Sequence, residues 1–257
     1  MLVDVEDVYD EFNGGVISPQ AIHDFLAYAY QYWDPAPELV LLVGDGNYDP
    51  LNYWGTNQPS FIPPFLAQVD PWMGETAAEN LYVTVSGADI FPDLHLGRLP
   101  VNSSAQAAAI VSKILAYEDP AAGEEWNRRI LFVADNPDGG GNFNSYSYAI
   151  AENNTPATYL KEMVHYGENY TNVSQARAAV LAAINQGRLL VNYIGHGNNQ
   201  FWASERLLST SSVSSLTNAG KYSFLVPMTC LEGSFHVPPI GSSSMISLAE
   251  AMLLSQN

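Results

Sequence analysis

Leu189-Leu190-Val191-Asn192-Tyr193-Ile194-Gly195-His196-Gly197 is an apolar run that stops at a histidine set between two glycines. A second run, Phe224-Leu225-Val226-Pro227-Met228-Thr229, stops at Cys230. Both are apolar and of strand length, so they read as buried strands. Each delivers a reactive side chain to its carboxyl end. In open α/β sheets that edge is where ligands bind and chemistry occurs. Cys230 is the only cysteine among 257 residues. A lone cysteine with a histidine elsewhere in the chain is the pattern of a nucleophile and its base. The plainer alternative makes Cys230 a small buried hydrophobe and His196 a hydrogen-bonded loop residue.

Working outward, Ile130-Leu131-Phe132-Val133-Ala134 reads as a third strand, ending at Asp135. The glycine-rich Asp138-Gly139-Gly140-Gly141 separates it from a helix near residues 146–165. Ser174 stands where it would cap a helix running to Asn185, and a terminal helix covers Met245 to Leu254. In the first part of the chain, Ser18-Pro19 opens a helix with a cap and then proline at the first position. Ile22, Phe25, Leu26 and Tyr30 recur on one face of it. Leu39 to Val43 reads as a short buried strand before the turn-rich Gly44-Asp45-Gly46-Asn47-Tyr48-Asp49-Pro50. Residues 51–79 read as a long surface excursion, Leu81 to Val85 as a strand, and His95 to Arg98 as a weaker one. Ser103-Ser104 cap a helix to about Tyr117. Strands alternating with helices predict an α/β fold, a mostly parallel sheet flanked by helices with right-handed crossovers.

Composition narrows the function. Nine basic against 27 acidic residues give a net charge of −18, which argues against nucleic acid and anionic membrane surfaces as partners. The excess acid suits divalent cations or solubility outside the cell. The hydrophobic share of 47% is that of a folded globular chain. No apolar run reaches the 18 or more residues of a membrane span, and the first residues lack the basic region and cleavage site of a signal peptide. The chain reads as a segment excised from a larger protein. His23, His95, His165 and His236 are scattered without cysteine partners at zinc spacing, so no transition-metal site is expected.

The chemistry the residues allow is acyl transfer. A nearby imidazolium favours the thiolate of Cys230, and His196 then protonates the leaving amine. The backbone N–H groups of Gly197 and Cys230 are placed to hold an oxyanion. Asp135 and Asp138, at the end of the neighbouring strand, are both candidates to orient the imidazole. Either would otherwise make a local turn bond. Glu205 and Glu232 read as solvated or structural.

Tyr193-Ile194-Gly195-His196-Gly197, Trp202, Glu205, Thr229-Cys230-Leu231-Glu232-Gly233-Ser234-Phe235 and Ser247-Leu248-Ala249-Glu250-Ala251 together resemble the gingipain family of cysteine peptidases. Upstream, Leu41-Leu42-Val43-Gly44-Asp45, the stretch Asp89 to Pro100, and Trp126 are similar to the family in the same order. The resemblance implies a caspase-like α/β fold in two subdomains. These are 1–102, incomplete at its N-terminus, and a catalytic 103–257, truncated at its C-terminus. It implies a secreted or cell-surface cysteine endopeptidase that acts on a protein or peptide substrate and contacts the rest of a larger parent chain. His196 becomes the general acid/base and Cys230 the nucleophile. In Ala134-Asp135-Asn136-Pro137-Asp138-Gly139-Gly140, Asp138 is the favoured acid beside the histidine and Asp135 the second. The resemblance also implies structural calcium and no organic cofactor. Asp45, Asn47 and Asp49, alternating on one turn, are the candidate ligands, with Asp70, Glu75, Glu79 and Asp89 as further carboxylates. Arginine-cutting members use an acid in the segment after the glycine-rich turn. Here that segment, Asn142 to Tyr148, has none, so basic specificity does not carry over. The alternatives are a secretion-associated transpeptidase with the same dyad and a non-catalytic module that kept the fold.

Overall fold

The structure is a computed structural model that describes residues 1–71, 74–118, 124–238 and 246–255. The chain divides into two compact units: Met1–Ala107 with Ser234–Met245, and Ala108–Gly233 with Ile246–Asn257.

In the first unit, α1 (Val5–Asn13) starts at Asp4, whose carboxylate accepts the Glu6 N–H. It ends at Gly14, whose φ of +59° is a conformation that glycine adopts without strain. α2 (Pro19–Tyr32) is capped by Ser18, as expected. Their apolar faces bury Val8, Tyr9, Ile22 and Leu26 against Leu42, Ile62 and Tyr82. β1 (Leu39–Val43), β2 (Leu66–Asp70), β3 (Gly74–Ala77) and β4 (His95–Leu99) follow. β1 and β4 pair in parallel, Leu39 opposite His95.

Three expectations are corrected here. β1 is not buried throughout, because Leu39, Leu41 and Val43 are exposed and only Leu42 is buried. Residues 51–79 are not a bare excursion, because β2 and β3 form an antiparallel hairpin within them. Its strands are short and lack the alternation that betrays a strand. Leu81 to Val85 is no strand. Glu79–Tyr82 forms a 3₁₀ turn, and Tyr82 drives its ring into the core and donates its hydroxyl to the Pro63 carbonyl. The apolar residues that suggested a strand serve that single turn.

The second unit contains most of α3 (Ser104–Glu118), then β5 (Arg129–Ala134), α4 (Phe143–Asn153), β6 (Leu160–His165), α5 (Val173–Gln186) and β7 (Leu190–Ile194). β8 (Phe201–Trp202), β9 (Leu208–Ser209), α6 (Thr210–Val213), β10 (Phe224–Met228) and α7 (Leu248–Leu254) complete it. Four strands form one parallel sheet in the order β10-β7-β5-β6. Leu131 and Val133 of β5 and Val191 and Tyr193 of β7 are fully buried, in one cluster with Val180, Ala183 and Ile184 of α5. β10 is the edge strand. Phe224 and Met228 are exposed on it, and Pro227, which lacks an N–H, is tolerated at an edge.

The helix expected over 146–165 stops at Asn153, and β6 occupies its second half. Asn153-Asn154-Thr155-Pro156 breaks it, since a proline disfavours helix in the residue before it. α5 is capped by Asn172 rather than Ser174; the Asn172 side chain accepts the N–H groups of Ser174 and Gln175. α7 begins at Leu248 with a capping box between Ser247 and Glu250, and Met245 lies outside the described residues. Among the described residues no helix is long and apolar enough to cross a membrane.

Leu131 is fully buried at the centre of the sheet. Leu131→Ala is expected to lower unfolding free energy by about 2–5 kcal/mol through the cavity it leaves, measurable by urea denaturation of the whole chain.

Candidate active site

Parallel register assembles this site. Ile194 of β7 stands opposite Met228 of β10, and His196 and Cys230 each lie two residues beyond that pair. Both loops therefore leave the same sheet edge side by side. Gly197 lies so close to the Thr229 side chain that a Cβ on it would press into Oγ1 and sit 3.2 Å from Cγ2. On the other side of β7, Ala134 of β5 stands opposite Ile194, which brings Asp135 to the same edge.

The two candidate acids have different tasks. Asp138 bonds the ring: His196 Nε2 lies 3.1 Å from Oδ2 and 3.3 Å from Oδ1. Asp135 bonds the backbone, accepting the His196 N–H at 3.2 Å and the Asn136 N–H at 2.8 Å. Asp138 sits in a tight loop closed by reciprocal backbone bonds to Gly141, and its Oδ1 accepts the Gly140 N–H at 2.7 Å. That N–H, then His196, hold its carboxyl below the usual range, whereas burial raises that of Asp135. Gly140 leaves room for the imidazole, since a Cβ there would lie 2.9 Å from Nε2. Phe143 of α4 meets the ring edge-on at 5.2 Å. The His196 side chain is 53% exposed, and Cys230 is exposed too, so the site opens to solvent.

Behind the histidine stands a set of residues whose place the sequence did not reveal. The His196 carbonyl accepts the Tyr193 hydroxyl at 2.5 Å and the Ala203 N–H at 2.7 Å. Tyr193 stacks on Trp202 at 4.5 Å. Trp202 Nε1 donates to Glu232 at 2.8 Å. Glu232 is buried, and that burial pushes its carboxyl up to about 7. The Glu205 backbone carbonyl receives Arg177 Nη2. Beside the Asp138 loop, Pro137, Asn142, Asn144, Ser145 and Tyr148 line a cavity of about 250 Å³. Its one carboxylate, Glu168, comes from the loop after β6, outside the segment in which the sequence shows no acid.

The residues expected to bind calcium lie in the first unit, where their oxygens meet protein donors. The Asp45 carboxylate accepts the Gly46 N–H, Gln58 Nε2 and Asn102 Nδ2 at 2.8–2.9 Å. Asn47 Oδ1 accepts the Asp49 N–H, and Asp49 accepts those of Tyr53 and Trp54. These bonds brace the turn, and beside Asp45 the Gln58 Oε1 and Asn102 Oδ1 atoms are buried without a hydrogen-bond partner. Glu79 pairs with Arg98, Asp89 accepts the Phe91 N–H, and the Asp70 side chain lies outside the described residues. Among the described residues no group of three or more histidine, cysteine or acidic side chains is arranged to hold a metal.

The full length, residues 1–257, matches peptidase family C25. The chain belongs to that family. It is 25% identical over 247 residues to gingipain R2 of Porphyromonas gingivalis, covering 93% of this chain and 29% of that protein. With Lys-gingipain W83 of Porphyromonas gingivalis it shares 25% over 188 residues, 68% of this chain and 10% of that one. The chain thus spans less than a third of the length of these curated relatives. Among solved structures, the crystal structure of the Arg-specific cysteine proteinase gingipain R aligns with a TM-score of 0.72 at 22% identity, covering 99% of this chain and 56% of that one. A complex of RgpB pro- and mature domains from Porphyromonas gingivalis aligns with a TM-score of 0.73 at 22% identity, covering 99% and 57%. At that identity the likeness is one of fold, and it is the α/β caspase-like fold expected from the sequence.

In this C25 chain, Gly197→Ala is expected to force the 197 and 229 segments apart. Slower alkylation of Cys230 with an unchanged circular-dichroism spectrum is the expected pair of results. Stability should also depend on pH. In the folded chain Glu232 keeps its proton to about 7, against an ordinary value of 4.5, and Asp135 is raised in the same direction. These two carboxyls bind more protons in the folded state across that window, so their contribution to stability falls as pH rises through it, by at most about 3 kcal/mol for Glu232, while the buried His165 and His236, lowered by burial, act the opposite way. Between pH 5 and pH 8, urea midpoints of Glu232→Gln are expected to lack the fall that Glu232 contributes to the wild-type profile.

Proposed function

We propose that this chain carries the catalytic segment of a cysteine endopeptidase, with Cys230 as nucleophile, His196 as general acid/base and Asp138 as the group that orients the imidazole. One observation carries the reading: residues 196 and 230 leave adjacent parallel strands at matched positions, and the ring of His196 is held by Asp138. Asp138 occupies Nε2, which leaves Nδ1 for the thiol. The exposed carboxylate, kept ionised by the Gly140 N–H, orients the imidazole for proton transfer.

In the first half-reaction the thiolate adds to the scissile carbonyl carbon. The oxyanion takes the N–H groups of Gly197 and Cys230. Neither is engaged in a backbone bond among the described residues. The imidazolium gives its proton to the amine nitrogen, the C–N bond breaks, and a thioester remains. In the second, His196 takes a proton from water, hydroxide adds to the thioester, and the acid departs as the thiolate returns. Water is favoured as acceptor over an amine because the structurally similar gingipain R is described as a proteinase. The acidic, lysine-poor chain suits work outside the cell or at its surface, within a larger parent protein.

The test is the rate of Cys230 alkylation by iodoacetamide across pH 4–10, followed by peptide-library cleavage. Rapid alkylation well below the free-thiol value of about 8.5, lost in His196→Ala, is expected. Cys230→Ala should abolish cleavage, and Asp138→Asn should lower kcat/KM at least about tenfold with stability unchanged. An ordinary thiol profile, the same in both chains, would overturn the reading. Product ligated to an added amine in place of hydrolysis would reassign it to transpeptidation.

A further inference from the structure

Glu232 touches none of the reacting groups, yet it joins the two loops that carry them. We propose that Glu232 is a positioning residue: through its hydrogen bond to Trp202 it fixes the nucleophile loop, residues 229–233, against the base loop, residues 195–203. The proposal rests on the peptidase reading above.

Trp202 is fully buried and lies in β8, within the base loop. Its indole N–H reaches Glu232 Oε2 at 2.8 Å, and its ring stacks on Tyr193 with the planes 5° apart. Tyr193 in turn holds the His196 carbonyl. The path from the nucleophile loop to the histidine thus runs Glu232, Trp202, Tyr193, His196. A further close approach of the two loops, Thr229 against Gly197, is packing, because Thr229 Oγ1 is buried with no hydrogen-bond partner.

The backbone on both sides of this bond is strained. Leu231, immediately before Glu232, has φ +64°, and Ala203, immediately after Trp202, has φ +57°. Side-chain-bearing residues rarely adopt that region, and they stay there only where the surroundings over-determine them. The Glu232–Trp202 bond supplies that constraint, with the Ala249 N–H donated to the Glu232 carbonyl at 3.3 Å.

The choice of an acid is informative. Glu232 borders an apolar cavity of about 420 Å³ walled by Leu225, Pro227, Ala249 and Met252. Burial makes the charged form costly there, and its carboxyl rises accordingly. An apolar side chain would fill the space without that cost. What the carboxyl adds is an acceptor for the indole.

Glu232→Ala, Glu232→Gln, Trp202→Phe and the Glu232→Ala/Trp202→Phe pair test this in the full chain, with folding monitored by circular dichroism. Alkylation of Cys230 by iodoacetamide at pH 6–7 is read beside kcat and KM on a cleaved peptide. Glu232→Ala and Trp202→Phe are each expected to slow alkylation and lower kcat roughly ten- to a hundredfold, with KM changed far less. Glu232→Gln, whose amide oxygen still accepts the indole N–H, should keep most of both rates. The pair should be no worse than either single change. If Glu232→Ala does not fold, Trp202→Phe and Glu232→Gln decide the matter. Wild-type rates in Trp202→Phe, Gln as slow as Ala, or effects that multiply in the pair would each overturn the proposal. If the wild-type thiol reacts no faster than that of His196→Ala, the peptidase reading itself fails and this inference falls with it. A reactive wild-type thiol that is equally reactive in these variants sinks only the inference.

Discussion

The pairing of β7 between β5 and β10 is the constraint on which the second unit depends. Each βα crossover carries the chain back to the edge where the previous strand began, so parallel strands all end at the opposite edge. Residues 135, 196 and 230 reach one sheet edge for that reason, although 61 and 34 positions separate them. Register does the rest. A slip of one residue in β10 would turn every side chain to the other face and put Thr229 where Cys230 stands. Leu225 of β10 packs on the cluster that holds the fully buried Val191 and Tyr193 of β7, and such a slip would withdraw it.

Three carboxyl groups around this edge show how environment divides labour among like residues. Asp138 is exposed and fed by backbone N–H groups, so it stays ionised and faces the imidazole. Asp135 is buried and spends its oxygens on backbone N–H groups, which fixes where the histidine begins. Glu232 is buried among apolar walls and meets one indole N–H, so it holds its proton to about neutral pH. Solvent access, more than proximity to His196 in the sequence, separates these roles.

The first unit shows the opposite use of acids. With a net charge of −18, alternating Asp45, Asn47 and Asp49 suggest a cation cradle. In the fold, Asp45 is wholly buried, and its oxygens are filled by Gln58, Asn102 and a backbone N–H. The same loop is clamped by Arg98, which bonds Glu79 and the carbonyls of Gly44 and Ile62. An acid-rich turn can thus be held together by neutral amides, because hydrogen bonds satisfy a buried carboxylate as a cation would.

The sequence by itself determined the alternating strands and helices and the two apolar runs that end on His196 and Cys230. Those features are written in local periodicity, turn residues and residue type. It did not show that β6 replaces half of a helix, that residues 66–77 pair as a hairpin, or that Tyr82 turns inward, because short elements carry too few residues for their pattern to be legible. Nor did it separate Asp135 from Asp138 by task, show which donors meet Asp45, or decide between a solvated and a structural Glu232. Those outcomes depend on which donors and which apolar walls surround each carboxyl, and only the packed chain brings them together.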